Sequence, residues 1–454
     1  MNNCYKRWYS LRRYGALVIT VILLNWQNTA LAQSNTETAP ASLSLAEALS
    51  LSLANNPSLQ AYAPQLEQLK GEEIKAGLKP ALELGLDIEN ALGSGDFSDT
   101  DAAEYTLSLS SVIERGDKRK ARLLVSQRQI DLLSARRSAQ AMDLLASVTR
   151  QYISTLALQE KVKLAEHVLN TARSLKYSVK HLVDNAASPQ AELLRAQATE
   201  TRASLDLARA SALYDAERAT LAAILGTNWT MTPRLSGRLT IPTDAVSFDA
   251  LWTLASNSLS MLAFASEIRV REAEVDLART NAHANISWQL GTRYFNDSND
   301  TALIAGISMP LFSGRRNQGN EQSAHAARQQ SQLRQQVALI ELRARLYRAY
   351  REYDQLRQSA IVLQEEVIPM LHEAFSQARG AYERGRYSYI EWMSAHGELI
   401  AAETARIDSI ASAALNQAFI EQLSASSLTA FSTKVPASII NYQPGQQDTD
   451  YEDH

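Results

Sequence analysis

Val112–Arg122 reads V-I-E-R-G-D-K-R-K-A-R. Just upstream the chain has a period of two, with Tyr105, Leu107 and Leu109 alternating with Thr106, Ser108 and Ser110. Downstream, from Asp117 to about Lys180, there is no proline or glycine, and the strong helix formers Ala, Leu, Arg, Gln and Glu dominate. A strand therefore ends and a very long helix begins within this stretch. The same switch recurs at Met309–Asn317, M-P-L-F-S-G-R-R-N.

The preceding strand is expected at 81–92. Leu82, Leu84, Leu86 and Ile88 share one face, and Glu83, Gly85, Asp87 and Glu89 the other. One apolar and one acidic face suit a sheet between lipid and water, at the ~9–11 residues of a membrane strand. A soluble hairpin would alternate in the same way. The polar loop Gly93–Asp101 leads to the returning strand at 103–113. Asp117 is the expected N-cap of the helix at 117–180. Lys118, Arg119, Lys120 and Arg122 then oppose the helix macrodipole, and neighbouring carboxylates or lipid phosphates are the candidates to neutralise them. Ala186 to Pro189 marks a turn, and a second helix returns at 189–225 to Gly226. Before the strands, helices are expected at Ser42–Asn55, capped by Ser42 or Ser44, and from Pro57 to Leu78.

The pattern then repeats. A crossover linker at 226–246 carries Pro233, Gly237 and Pro242. A short helix at Phe248–Ser256 and a longer one at Ser258–Asn281 follow, then strands at 283–295 and 301–311 around the loop Asn296–Asp300. A second long helix spans 314–382, with Ser313 as cap and Pro369 expected to bend or break it. Gly385 marks the turn to a helix at 387–423. Gly314 echoes Gly116 and Ser388 echoes Ser188, so 33–225 and 247–423 read as tandem repeats. The tail 424–454 has an acidic end and is expected to be partly disordered. At the other end, basic Lys6, Arg7, Arg12 and Arg13, the apolar run Tyr14–Leu24 and Ala30-Leu31-Ala32 predict a cleaved signal at 1–32.

Helices of roughly 95–100 Å, at ~1.5 Å per residue, cannot be buried in one compact core and must lie along partners. Two hairpins give too few strands to close a barrel, and an open sheet edge cannot sit in lipid. An oligomer is required, and a ring of three would give 12 strands. Other classes are excluded by composition. The formal charge is -4, which argues against a nucleic-acid partner. Cys4 is the one cysteine, and the seven histidines are not closely paired, so neither a disulfide framework nor a metal or other cofactor site is expected. No nucleophile–base–acid set suggests an enzyme; Glu391 and Glu398 beside His396 read as a solvated helix surface.

Three motifs carry a family resemblance: Ile113–Arg122, I-E-R-G-D-K-R-K-A-R; Pro310–Arg315, P-L-F-S-G-R; and Ala381–Ser388, A-Y-E-R-G-R-Y-S. Nearly the whole mature chain resembles the TolC family of outer-membrane efflux proteins. It is most similar to the CzcC-like outer-membrane components of heavy-metal resistance-nodulation-division (RND) pumps. Arg115 replaces the family's usual leucine, Asp117 its second glycine and Ala381 an arginine.

The resemblance implies a TolC-like mixed α+β fold. Four transmembrane strands per protomer would complete a 12-stranded homotrimeric barrel in the outer membrane, surrounded by its lipid and continued by a periplasmic α-helical barrel. It also implies docking of a periplasmic adaptor (membrane fusion) protein and an inner-membrane RND pump at the far turns, Val183, Asp184, Asn185 and Ser188 with Tyr382, Arg384, Gly385 and Ser388. Glu114, Arg115, Gly116, Asp117, Lys118 and Arg119, with Pro310, Phe312, Gly314 and Arg315, form the strand-to-helix junctions. Glu83, Asp87, Glu89, Asp96, Asp99, Asp101, Asp297 and Asp300 are candidates for a cation-favouring lumen or mouth. Gln33 follows the signal and no cysteine follows it, so no lipid anchor is expected. Passive heavy-metal conduction is the reading this gives; multidrug or protein export through the same channel, and a non-conducting coiled-coil scaffold, are the alternatives.

Overall fold

The computed structural model describes residues 42–242 and 246–424. The expected signal at 1–32, Gln33, the tail beyond Ser424 and linker residues 243–245 lie outside the described residues.

Helix α1 (Leu45–Asn55) starts at Ser44, whose hydroxyl accepts the Glu47 N–H while the Glu47 carboxylate accepts the Ser44 N–H. The reciprocal pair satisfies two donors that a helix start leaves open. Ser42 is not the cap: Ser42–Leu43 forms β1, paired in parallel with β4 (Arg234–Leu235) of the crossover linker. Asn56 caps the short α2 (Pro57–Gln60), and α3 (Tyr62–Gly77) follows.

Strands β2 (Glu83–Glu89), β3 (Glu104–Ile113), β5 (Ile286–Phe295) and β6 (Asp300–Ser308) form one antiparallel sheet in that order. β2 stops short of the expected 92 because Asn90 and Leu92 turn left-handed, at φ 57° and 58°. β6 stops short of 311, just ahead of Pro310, which has no N–H for a ladder. The register stacks Leu86 on Leu107 and Leu84 on Leu109, Leu109 on Leu290, and Leu290 on Ala305, with Trp288 beside Ile307. One apolar face therefore runs across all four strands and stays bare, with Leu84 75% and Leu303 87% exposed. Among the described residues no helix is long and apolar enough to cross a membrane.

From the sheet, α4 (Lys118–Asp184) runs 67 residues, about 100 Å at ~1.5 Å per residue. It packs along α5 (Gln190–Leu225), α7 (Leu259–Thr280) and α10 (Tyr389–Ser424). The second long helix is interrupted beside Pro369, as expected, though the interruption falls just upstream of the proline. α8 (Ser313–Val362) passes through a π-turn, Leu363–Val367, into α9 (Ile368–Glu383). Pro369 follows the π-turn directly, in the first turn of α9, and has no N–H to continue the bond that Ile368 makes back to Leu363 O. The π-turn thus absorbs the break.

Two apolar clusters grip the long helices midway. Leu45, Leu49, Leu145, Tyr152 and Leu221 form the first. Leu251 of α6 (Phe248–Ser256), with Leu342, Leu346, Tyr353 and Ile420, forms the second. Tyr152 also ties the linker down: its hydroxyl donates to Leu43 O at 3.0 Å and accepts the Gly237 N–H at 3.2 Å.

Beside the second cluster, Glu421 is only 8% exposed and accepts one bond, from Gln417 Nε2 at 3.0 Å. Burial pushes its carboxyl up to about 7. The folded protein therefore holds this proton more tightly than the unfolded chain between about pH 4.5 and 7. Stability falls as pH rises through that window, by at most about 3.5 kcal/mol at ~1.4 kcal/mol per unit. Glu421→Gln is expected to leave the melting temperature nearly unchanged at pH 5 and to raise it at pH 8. Equal shifts at both pH values, by thermal circular dichroism, would refute the assignment.

Candidate transport site

The polar face of the sheet begins with Glu83, Gly85, Asp87 and Glu89 of β2 opposite Ser110, Ser108, Thr106 and Glu104 of β3. Glu89 and Glu104 are direct cross-strand partners, a like-charge pair that is unfavourable by itself. Arg293 of β5 resolves it, reaching Glu89 at 2.8 Å and Glu104 at 2.7 Å and donating to Thr106 Oγ1 at 2.9 Å. Asn90 donates to Glu104 as well. Glu89 is thus ion-paired, whereas Glu83 and Asp87 are exposed and form no ion pair among the described residues. Asp99, Asp101 and Asp297 are exposed loop residues, Asp96 sits in the turn Gly95–Phe97, and Asp300 opens β6. Glu104 and Arg293 were missed. Their signal was parity alone, since both fall in the polar register of their strands.

At the first junction Asp117 holds the N-cap position, with φ 57° and no side-chain cap bond. Its carboxylate instead lies 3.2 Å from Lys120. Arg122 grips Glu114 with two bonds, at 2.5 and 2.9 Å, and donates to Ala76 O and Leu78 O, tying the end of β3 to the end of α3. Arg122 holds the Glu114 carboxyl below the usual carboxylate range. Lys118 Nζ donates to Asn285 Oδ1 at 2.6 Å, across to the second repeat. Arg115 and Arg119 are exposed.

The second junction turns at Phe312, φ 61°, also left-handed; Ser313 is not a cap but the first helical residue, bonded back to Pro310 O. The left-handed residues, Asp117 and Phe312, are therefore the matching positions. Gly314 is not the counterpart of Gly116, because it lies inside the helix with open space around it. Arg315 is exposed. Gly116, at φ 80°, has no such space: an added Cβ would stand 2.3 Å from His283 Cδ2.

At the far ends of the helices, Asp184 closes α4 and pairs with Lys180 at 2.7 Å. Asn185 is its C-cap, next to Val183 and the left-handed Ala186. Pro189 is the N-cap of α5, one position earlier than expected. Ser188 and Tyr382, from different hairpins, both donate to Glu192 Oε2, at 2.5 and 2.9 Å. Burial pushes the Tyr382 hydroxyl up to about 12. Tyr382 stacks on the fully buried Trp392, centroids 4.9 Å apart. Gly385, φ 70°, makes the other turn beside the exposed Arg384. Ser388 and Glu391 cap each other's N–H groups before α10. Glu192 and Trp392 join the two hairpins and were not anticipated. Nor is His396 on a solvated surface: it is 5% exposed, stacked on Phe375, and burial pulls its imidazole below the usual range.

An apolar-faced sheet that continues into paired long helices, twice over in one chain, is the construction of a membrane channel with an α-helical extension. The model of the family described as Outer membrane efflux protein matches residues 48–227 and 251–425, and the chain belongs to that family. The chain is similar to the cobalt-zinc-cadmium resistance protein CzcC of Cupriavidus metallidurans, 28% identical over 385 residues, covering 83% of this chain and 90% of that one. It is also similar to the nickel-cobalt-cadmium resistance protein NccC of Alcaligenes xylosoxydans xylosoxydans, 26% identical over 59% of this chain and 61% of that one. Among solved structures, CusC matches with a TM-score of 0.71 at 16% identity, over 87% of this chain and 95% of that one. VceC of Vibrio cholerae matches at 0.66 and 17%, over 84% and 96%. The fold is thus that of the TolC-like outer-membrane channels.

Two expected outcomes follow from the site. Gly116→Ala is expected to cost about 2–4 kcal/mol, from left-handed strain and the clash with His283, and His283→Ala should recover the steric part. Unfolding in detergent reads both. Arg293→Gln is expected to lose about 1–2 kcal/mol by leaving Glu89 against Glu104, and a second change, Glu104→Gln, should restore most of it. Additive losses in that double-mutant cycle would refute the shared role of Arg293.

Proposed function

We propose that this protein is the outer-membrane channel of a tripartite RND-type efflux complex, passively conducting heavy-metal cations to the exterior. The observation that carries the metal assignment is the similarity to a cobalt-zinc-cadmium resistance protein across both repeats. The open edges of β2 and β6 support a homotrimer, because three sheets joined edge to edge satisfy every ladder and close a 12-stranded barrel. The polar face, with Glu83 and Asp87 free and Arg293 shared between Glu89 and Glu104, would then line the lumen with net negative charge and favour cations. The loop acids Asp96, Asp99, Asp101, Asp297 and Asp300 extend that field to the mouth.

The turns around Val183, Asp184, Asn185 and Ser188 and around Tyr382, Arg384, Gly385 and Ser388 would meet the periplasmic adaptor, which links the channel to an inner-membrane pump. The Glu192–Tyr382–Ser188 contact supports this role by fixing the two turns against each other. The pump supplies the energy, and the channel supplies a wet path.

A deletion strain complemented with the wild-type gene tests the reading. Sensitivity to one or a few of cobalt, zinc, cadmium, nickel, copper and silver, reversed by complementation, is the expected result. Sensitivity confined to dyes, detergents and antibiotics would move the protein to organic export.

A further inference from the structure

Beneath the apolar sheet face, at the first junction, lies a hollow of about 590 Å³ lined by both greasy and charged groups. Leu82, Ile113 and Trp288 continue the apolar face into it. Lys79, Lys118, Arg119 and Lys120 supply four cations, against the carboxylates of Glu114 and Asp117. Both carboxylates are already engaged, Glu114 by Arg122 and Asp117 by Lys120. Lys79 and Arg119 are exposed and form no ion pair among the described residues. Three of the four cations stand in the first turn of α4, where the macrodipole disfavours positive charge. The arrangement is therefore short of an anion.

We propose that this hollow holds the phosphate headgroup of a phospholipid from the leaflet on the helical side, its acyl chains lying on the apolar sheet face. Lys79 and Arg119 would take the phosphate oxygens, with Lys118, held by Asn285, forming the wall. Trp288 suits the boundary between acyl chains and headgroups. The site occurs once per chain. Counted from the left-handed residues, Ser313 and Gly314 stand where the first junction has Lys118 and Arg119. The second junction keeps cations at Arg315 and Arg316 but lacks this cluster.

The inference rests on the outer-membrane reading of the sheet, and one experiment separates the two. The full-length protein is extracted in detergent, stripped of lipid and offered phosphatidylglycerol, and retained lipid is counted by native mass spectrometry. One retained lipid per chain is expected. Retention should weaken at least about 10-fold in Lys79→Gln/Arg119→Gln, which removes two cations that would face an anionic headgroup, and stay unchanged in Arg315→Gln/Arg316→Gln. Arg119→Gln alone, at an exposed position, serves if the double variant misfolds. Undiminished retention in the Lys79 and Arg119 variants would overturn the site. So would an equal loss in both junction variants, which describes a diffuse basic collar, or glycerol phosphate binding as tightly as the lipid. A chain soluble without detergent would instead overturn the membrane reading itself.

Discussion

A sheet with lipid on one face must pair every backbone N–H and C=O within protein, because hydrocarbon offers no partner. β3 and β5 meet that requirement inside the chain and join the two repeats into one sheet. β2 and β6 meet it on one side only. Everything else is consistent with that constraint. The apolar face spans all four strands, the junctions sit at its lower rim, and the long helices carry the repeat away from it. A protomer with bare leucines and two open edges leaves ladder groups that only another sheet can pair in lipid.

The junctions turn a strand into a helix in the same way twice, with a left-handed residue just before the first turn. An aspartate and a phenylalanine take that conformation where glycine would be easier. The first junction is braced from three directions. Arg122 closes it onto Glu114 and α3, Lys118 reaches Asn285, and His283 fills the space beside Gly116. In the second, Asn317 donates to Ala278 O at 2.6 Å, so its helix start is held to the end of α7. Two of the three braces at the first junction come from the second repeat, so the repeats depend on one another at the membrane boundary as well as at mid-height.

Much of the fold was legible because its signals are local. Period-two alternation marked the four strands, and the gap without proline or glycine marked α4. Gly226 and Gly385 marked turns through their left-handed backbones. What was not legible depended on contacts distant in sequence. Nothing near Arg293 announces Glu104, and nothing near Tyr382 announces Glu192, since each pair meets only once the repeats fold together. His396 was misread for a related reason: a polar helix face looks solvated until the facing helix, through Phe375, covers it. The matching of Gly314 with Gly116 failed because letters were aligned where conformations should have been.

The π-turn at Leu363–Val367 has a geometric consequence. An extra residue in one turn rotates all that follows by about 100° around the helix axis. Phe375, Ala378 and Tyr382 therefore face α10 by virtue of a phase shift made upstream, and an uninterrupted helix would aim them elsewhere. The segment acts as a vernier between two rigid rods. It lets the second repeat keep a register at its tip that is independent of the register imposed on it at the sheet.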